Sequence, residues 1–424
     1  MARVLISFLG TGRIKDGTSK REYESTTYKI ENSDYNRSFV SVALREHLNI
    51  DKMILVGTPH SMWEEVYRTY AGEDDCWIEI GEACGKMNHK SDLSIPHQTE
   101  IEQAMGTGSK VVLVKYGLDA DEIRANSEII LGLESFLKKG DELILDITHS
   151  FRSLPLFVMN LLVFLRDVSP KKIRISGIYY GMLEAIKELG YAPVVNLSEV
   201  LNVNSWISGA YSFMEFGNAY KIAELIDSDA SIETPKMIST PLRSFAEAKN
   251  LNHLAELENQ VGKMQILRQT NNLPTIAKMV IDPVVEEFLK TVKLGNGKFK
   301  HSDFQYQLAV WHKGCHNYAA SYISLNEAIL TRACELCGFD ANDHDDRDEM
   351  RDLLFSRLLL PPYLVANGIT REVLNGYAKL YSKVSRNRNA IAHSLRDQSG
   401  RITNTVHNMI RDLETFIVQY SEKL

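Results

Sequence analysis

The sequence predicts two successive architectures, a doubly wound α/β half and then an all-α half. Three observations predict this. Short β-rich apolar runs alternate with helical segments up to about residue 197, whereas beyond about residue 200 helical periodicity continues without a further convincing strand. The 424 residues are ample for two or three domains with sizeable cores.

The expected strands are Val4 to Leu9, Met53 to Val56, Val111 to Val114, Leu143 to Ile147, Ile173 to Tyr180 and Pro193 to Leu197, each a short apolar run bounded by turn-forming residues. Between them, Asn36 to Leu48, Ala120 to Lys139 closed by Gly140, and Leu154 to Asp167 carry core-facing apolar stripes. Pro155 stands near the first turn of the last of these. Strands joined through helices form a mostly parallel sheet. The second half has helical periodicity over Ser205 to Ile226, Met279 to Val292, Tyr306 to Cys337 and Thr403 to Tyr420. No Pro/Gly/Ser linker separates the halves. The expected domains are therefore 1–200 and 201–424, with a continuous junction near residues 198–205 and Trp206 at the seam.

Composition excludes several classes of function. With 44% hydrophobic and 24% charged residues the chain is globular, and a net charge of -7 gives it no global positive field for holding long nucleic acid. Nucleic-acid contact must be local. The five cysteines, an odd number thinly spread, do not make a disulfide framework and fit a reducing cytoplasm. Met1 to Gly10 reads as a first strand rather than a signal peptide. Leu156 to Leu165, interrupted by Asn160, has about half the ~20 residues of a spanning helix, so a soluble protein is expected.

Three strings carry candidate chemistry. Gly10-Thr11-Gly12 directly follows the first strand, where small residues let backbone N–H groups approach a phosphate; Lys15 occupies the third glycine position of a dinucleotide fingerprint, and a plain tight turn is the alternative. Asp146-Ile147-Thr148-His149-Ser150-Phe151-Arg152 joins a strand to a helix start. Thr148, His149 and Ser150 suit a phosphate or ribose there and Arg152 supplies counter-charge, unless Ser150 or Ser153 merely caps the helix. Arg386-Asn387-Arg388-Asn389-Ala390-Ile391-Ala392-His393 sets guanidinium, amide and imidazole groups within two turns, with Asn389 and His393 on one helical face. Histidine can move the proton of a ribose hydroxyl or leaving oxygen, and arginine can stabilise phosphorane charge; the same string also occurs as surface decoration. His312 with His316, and Cys334 with Cys337, have metal-compatible spacings but lie in apolar-striped helical segments, which favours core residues.

Taken together, LISFLGTG at the N-terminus, Tyr23 and Tyr28, Asp146-Ile-Thr-His-Ser-Phe-Arg, Ile178-Tyr-Tyr-Gly181 and Arg388-Asn-x-x-x-His393 resemble the CRISPR-associated CARF–HEPN ribonucleases of type III systems, in the branch named for a DxTHG motif. Ser150 stands where that branch has glycine, and Arg386 also satisfies the family's RxxxxxxH spacing. The resemblance implies a Rossmann-like CARF sensor for a cyclic oligoadenylate, cyclic tetra-adenylate first and cyclic hexa-adenylate as alternative. Gly10, Thr11, Gly12, Thr148, His149, Ser150 and Arg152 are its expected contacts. The helical half is implied to contain a HEPN domain that cuts single-stranded RNA without metal or cofactor through Arg388, Asn389 and His393. The expected working unit is at least a homodimer, because a ring with rotational symmetry matches a two-fold site. The alternatives are a CARF-type sensor with a non-catalytic helical dimerisation or regulatory module, and a nucleotide-metabolising enzyme with a helical lid.

Overall fold

The computed structural model describes residues 1–14, 21–23, 25–149, 153–267, 273–293, 300–356, 359–392 and 402–421. Two compact units divide the chain, Met1–Asn202 and Val203–Leu424.

The first unit contains strands β1 (Arg3–Leu9), β2 (Arg13–Ile14), β3 (Arg21–Glu22), β4 (Thr26–Ile30), β5 (Ser33–Arg37), β6 (Lys52–Gly57), β7 (Lys110–Leu113), β8 (Glu142–Asp146), β9 (Arg174–Gly181) and β10 (Ala192–Asn196). Its helices are α1 (Val40–Leu48), α2 (Trp63–Ala71), α3 (Asp75–Lys86), α4 (Gln98–Ala104), α5 (Ala120–Gly132), α6 (Leu154–Asp167) and the short α7 (Ile186–Leu189). Eight strands form one sheet in the order β5-β4-β10-β9-β8-β1-β6-β7, and β2 pairs with β3. From β9 to β7 every pairing is parallel; β10 runs antiparallel to β9, and β4–β5 is an antiparallel hairpin. The expected mostly parallel sheet is present.

Both faces of the sheet are covered, which is why its central strands read as continuous apolar runs. Along β1, Val4, Ile6 and Phe8 face a core shared with Ile130 of α5 and Leu161 and Leu165 of α6. Leu5 and Leu9 face the other core, with Val40 and Leu44 of α1, Trp63 of α2 and Ile80 of α3. Ser7 lies on this second face and is the polar exception within the strand. After β1 the chain first places the β4–β5 hairpin at the far edge and then builds β6 and β7 beside β1, whereas after β8 it builds β9 and β10 on the other side. The carboxyl ends of β1 and β8 thus border the topological switch point, where open α/β sheets hold ligands.

The sheet ends at β7 against side chains of α4. Glu102 accepts the Val111 N–H at 3.0 Å and pairs with Lys110 at 2.6 Å, while the Gln98 amide donates to the Val111 carbonyl at 3.3 Å. Two expectations need correction here. The segment expected as a helix from Asn36 is extended through Arg37 as part of β5 and becomes helical only at Val40. The helix expected over Ala120 to Lys139 ends at Gly132 and continues as a 3₁₀ turn, Leu133–Phe136. The hairpin β4–β5 and the helices α2 to α4 were not anticipated.

The second unit is helical throughout its described residues. It comprises α8 (Glu199–Phe216), whose first turn belongs to the first unit, α9 (Tyr220–Ser228), α10 (Pro235–Asn250), α11 (Leu254–Leu267), α12 (Thr275–Thr291), α13 (Lys300–Gly314), α14 (Tyr318–Cys337), α15 (His344–Phe355), α16 (Pro362–Ala366), α17 (Arg371–Ala392) and α18 (Ile402–Ser421). One core gathers Phe213, Phe245, Phe288 and Trp311 with ring centroids 4.8 to 6.4 Å apart, and Trp206 is buried in it. A second core packs Tyr322, Leu325 and Ile329 of α14 against Leu374 and Val384 of α17 and Phe416 of α18. Two helices expected as continuous are broken. Ser205 to Ile226 breaks at Gly217, whose φ of 63° and contact with the Trp311 ring exclude a side chain. Tyr306 to Cys337 breaks at His316, with φ 56°, and Asn317 caps α14 by accepting the Ala320 N–H at 3.3 Å. Among the described residues no helix is long and apolar enough to cross a membrane.

Candidate functional site

At the carboxyl end of β1 the glycine turn is held from two sides. The Gly10 N–H donates to the Tyr23 hydroxyl at 2.9 Å, and the Met62 N–H donates to the Gly10 carbonyl at 3.0 Å. A Cβ on Gly10 would sit 2.9 Å from the Tyr23 oxygen; one on Gly12, where φ is 71°, would sit 2.8 Å from the Met62 sulfur. Both glycines are therefore required by close approach, and half-buried Thr11 stands between them.

At the end of β8 a buried carboxylate organises the second loop. Asp146 Oδ2 accepts the Ser7 hydroxyl at 2.5 Å, and Oδ1 accepts the Thr148 N–H at 2.9 Å. The Thr148 hydroxyl also bonds the Asp146 carboxyl and accepts the Gly181 N–H at 2.8 Å, tying this loop to the end of β9. Its hydroxyl is thus committed to shaping the loop. Burial pushes the Asp146 carboxyl up to about 6, against the lowering by Ser7 and Thr148. Burial pushes the His149 imidazole down to about 4, so the ring is neutral at pH 7.

Tyr23 joins the two loops. Its ring meets His149 edge to face at 5.4 Å between centroids, while its oxygen holds Gly10; burial raises its phenol well above the ordinary range, so it remains protonated. His149 Nε2 is buried without a hydrogen-bond partner among the described residues. Beside the turn, Arg21 pairs with buried Glu64 of α2 at 2.9 Å and donates to the His60 carbonyl. The structure thus brings Gly10, Thr11, Gly12, Thr148 and His149 to one crevice. Ser150 and Arg152 lie outside the described residues. Tyr23, Ser7 and Gly181 were not assigned to the site from sequence. Tyr23 and Gly181 stood within its quoted motifs, but nothing in an apolar strand marks Ser7.

In the second unit, Arg388 and Asn389 are half-buried in the last turns of α17, and Arg386 is exposed. Asn387 donates to the buried Tyr322 hydroxyl at 3.2 Å and Ser385 to Asn326, which fastens this end of α17 to α14. Lys383 pairs with the buried Asp412 of α18. His393 lies outside the described residues. His312 is wholly buried against Trp311, and burial followed by the nearby Lys249 pushes its pKa down to about 3. His316 is exposed, whereas Cys334 and Cys337 are buried in the second core. Among the described residues no group of three or more His, Cys, Asp or Glu could hold a metal ion.

These features define a Rossmann-like domain whose glycine turn and Asp146–His149 loop meet at the sheet's carboxyl edge, followed by a helical unit. Residues 4–184 match the family described as CRISPR system endoribonuclease Csx1, CARF domain, and residues 202–296 match that described as CRISPR-associated protein MJ1674, second domain. The chain is accordingly a CARF-containing CRISPR-associated protein. CRISPR-associated protein MJ1674 of Methanocaldococcus jannaschii is 34% identical over 414 residues, covering 93% of this chain; the chain spans 62% of that relative's length. Among solved structures, Enterococcus italicus Csm6 bound to cyclic hexa-2'-fluoro-hexa-dAMP is similar at a TM-score of 0.40 and 13% identity, over 100% of this chain and 96% of that one.

Proposed function

We propose that this protein is a cyclic-oligoadenylate-activated, metal-independent endoribonuclease that cuts single-stranded RNA in type III CRISPR antiviral defence, working in the cytoplasm as at least a homodimer. The observation that carries the reading is the coexistence in one chain of a Csx1-type CARF domain and the sequence string Arg388-Asn-x-x-x-His393, whose Arg388 and Asn389 lie in the last turns of α17.

A ring of adenylates is a compact polyanion that does not need a basic protein. Small-residue turns, neutral imidazole and phenol groups, and a helix start supply donors and stacking surface at low charge. The proposed contacts are Gly10, Thr11, Gly12, His149, Ser150 and Arg152, with Thr148 holding the loop in shape; cyclic tetra-adenylate is the expected activator and cyclic hexa-adenylate the alternative.

In the helical unit, the substrate's ribose 2′-hydroxyl attacks the adjacent phosphate. The P–O bond to the next nucleotide's 5′ oxygen breaks, leaving a 2′,3′-cyclic phosphate and a 5′-hydroxyl. His393 moves the proton, Arg388 or Arg386 stabilises the phosphorane, and Asn389 orients the phosphate. Cleavage of a short labelled RNA is measured with each cyclic oligoadenylate, with and without EDTA, for the parent and His393→Ala. Activator-dependent, EDTA-resistant cleavage that falls about a hundredfold or more in the variant is expected. Near-parental cleavage by His393→Ala overturns the catalytic assignment, and no cleavage by the parent with either activator leaves a sensor with a non-catalytic helical module.

A further inference from the structure

Within the second unit a cleft of about 550 Å³ opens between α11 and the start of α13, with Thr331 of α14 and Asn342 completing its wall. Small-molecule sites occupy roughly 300–1,000 Å³. Along α11, Ala255, Glu258, Asn259 and Gly262 recur at spacings of three and four residues, so one helical face lines the cleft. Gly262 is the informative member. A glycine inside a helix costs about 1 kcal/mol relative to alanine, yet a Cβ at 262 would meet no atom within 4 Å, so packing does not require it. Its effect is to leave the cleft open.

On the α13 side His301 is fixed at two points. Its backbone N–H donates to Glu335 Oε1 at 3.2 Å, and its Nδ1 meets Glu258 Oε2 at 3.0 Å. An ionised carboxylate only accepts, so Nδ1 carries the proton, and Nε2 of the neutral ring, with no partner among the described residues, presents a lone pair. Lys300 lies 3.7 Å from Glu258 Oε1, near enough for attraction but too far for a hydrogen bond, which leaves its ammonium donors available. Gln305 also lines the cleft, and its Oε1 is buried without a hydrogen-bond partner among the described residues.

A lone-pair acceptor beside a cation matches a ligand that sets a hydroxyl next to an anion, and the Asn259 and Gln305 amides match the mixed donor and acceptor edge of a base. We propose that this cleft binds a ribonucleotide. The ribose 2′-hydroxyl donates to His301 Nε2, the 3′-phosphate rests on Lys300, and the base lies against Gly262 and Asn259. A free mononucleotide and a nucleotide within an RNA strand offer the same chemistry. The site is separate from the Gly10 turn and from the Arg388 string, and the proposal rests on neither.

Isothermal titration calorimetry of the full chain uses adenosine 3′-monophosphate, its 2′-deoxy counterpart and a linear tetra-adenylate RNA, with no cyclic oligoadenylate present. The ribonucleotide should bind, about tenfold more tightly than the deoxy probe, which lacks the donor for Nε2, and Lys300→Ala should weaken it tenfold or more. Gly262→Leu fills the cleft without a clash and replaces a poor helix former, so it should abolish binding while the circular dichroism signal and melting temperature stay parental or rise. Tighter binding of the RNA, weakened by the same variants, identifies a strand as the source, and binding of the mononucleotide alone identifies the free ligand. The proposal is overturned if neither ribose probe binds the parent, if binding survives Gly262→Leu or Lys300→Ala undiminished, or if the ribose and deoxyribose probes bind equally.

Discussion

Replacing Asp146 with asparagine should remove one of two opposing pH dependences that burial has built into the first unit. The carboxyl is wholly buried, bonded to Ser7 and Thr148, and raised from 3.8 to about 6 by desolvation. Between those two values the folded protein keeps a proton that the unfolded chain has released. Stability contributed by this group is therefore fully present below about pH 4 and lost as pH rises through about 6. The difference of roughly two pKa units, at about 1.4 kcal/mol each, comes to about 3 kcal/mol. Asparagine keeps an oxygen for the Thr148 N–H and offers an amide donor to Ser7, but never ionises. Asp146→Asn should match the parent near pH 4 and exceed it by about 3 kcal/mol at pH 7, a rise in melting midpoint of roughly 6–12 °C for a unit of this size. His149 has the opposite sign: its imidazole is lowered from 6.5 to about 4, so stability is lost as pH falls between those values, and His149→Leu should remove that loss. In the parent the two slopes largely cancel between pH 4 and 6. Thermal melts of parent and both variants at unit steps from pH 4 to 8 decide the matter. Difference curves that stay flat with pH would show that neither group carries a burial-shifted proton.

The remaining predictions concern single contacts. Thr148→Val removes the acceptor of the Gly181 N–H and should destabilise by about 1–3 kcal/mol in urea melts. Gly12→Ala forces a side chain into φ 71° against Met62 and should cost at least about 1–2 kcal/mol; adding Met62→Ala should recover only the steric part, leaving the conformational part in a double-mutant cycle. Of Arg386→Ala and Arg388→Ala, the one that lowers activated RNA cleavage about a hundredfold at unchanged melting temperature identifies the phosphate-stabilising guanidinium.

The parts of the fold that were legible are those where burial is symmetrical. Strands β1, β6 and β8 are apolar on both faces, and their observed bounds differ from the expected ones by at most one residue at either end. Helix α6 was located to the residue, because Pro155 and a dense apolar stripe mark it. The hairpin β4–β5 escaped because Ser-Asp-Tyr-Asn-Arg is a polar edge strand and Glu31 makes the turn in a left-handed conformation without a glycine. The breaks at Gly217 and His316 escaped for a tertiary reason: Trp311, distant in sequence, presses on Gly217, and no proline announces His316. In the crevice, Gly10 to Gly12 and Thr148 with His149 could be found because they directly follow strands. Ser7 and Tyr23 could not, since their roles exist only once β8 lies beside β1 and the chain beyond β3 returns to Gly10.

The way the sheet stops at β7 also bears on how the protein survives its own synthesis. A strand with one neighbour presents a row of amides and carbonyls that any extended chain can join, and Val111 to Leu113 is apolar enough to invite it. Glu102 and Gln98 occupy that row at Val111 with a carboxylate and an amide, standing in for a ninth strand and setting the Glu102–Lys110 ion pair where a newcomer would dock. At the opposite margin, Arg37 forks onto Glu46 at 2.8 Å and keeps β5 charged and solvated. Two side chains on a seven-residue helix thus close this edge of the folded sheet to a further strand, and a neutral apolar residue at position 102 would leave the Val111 N–H open to pairing with another chain.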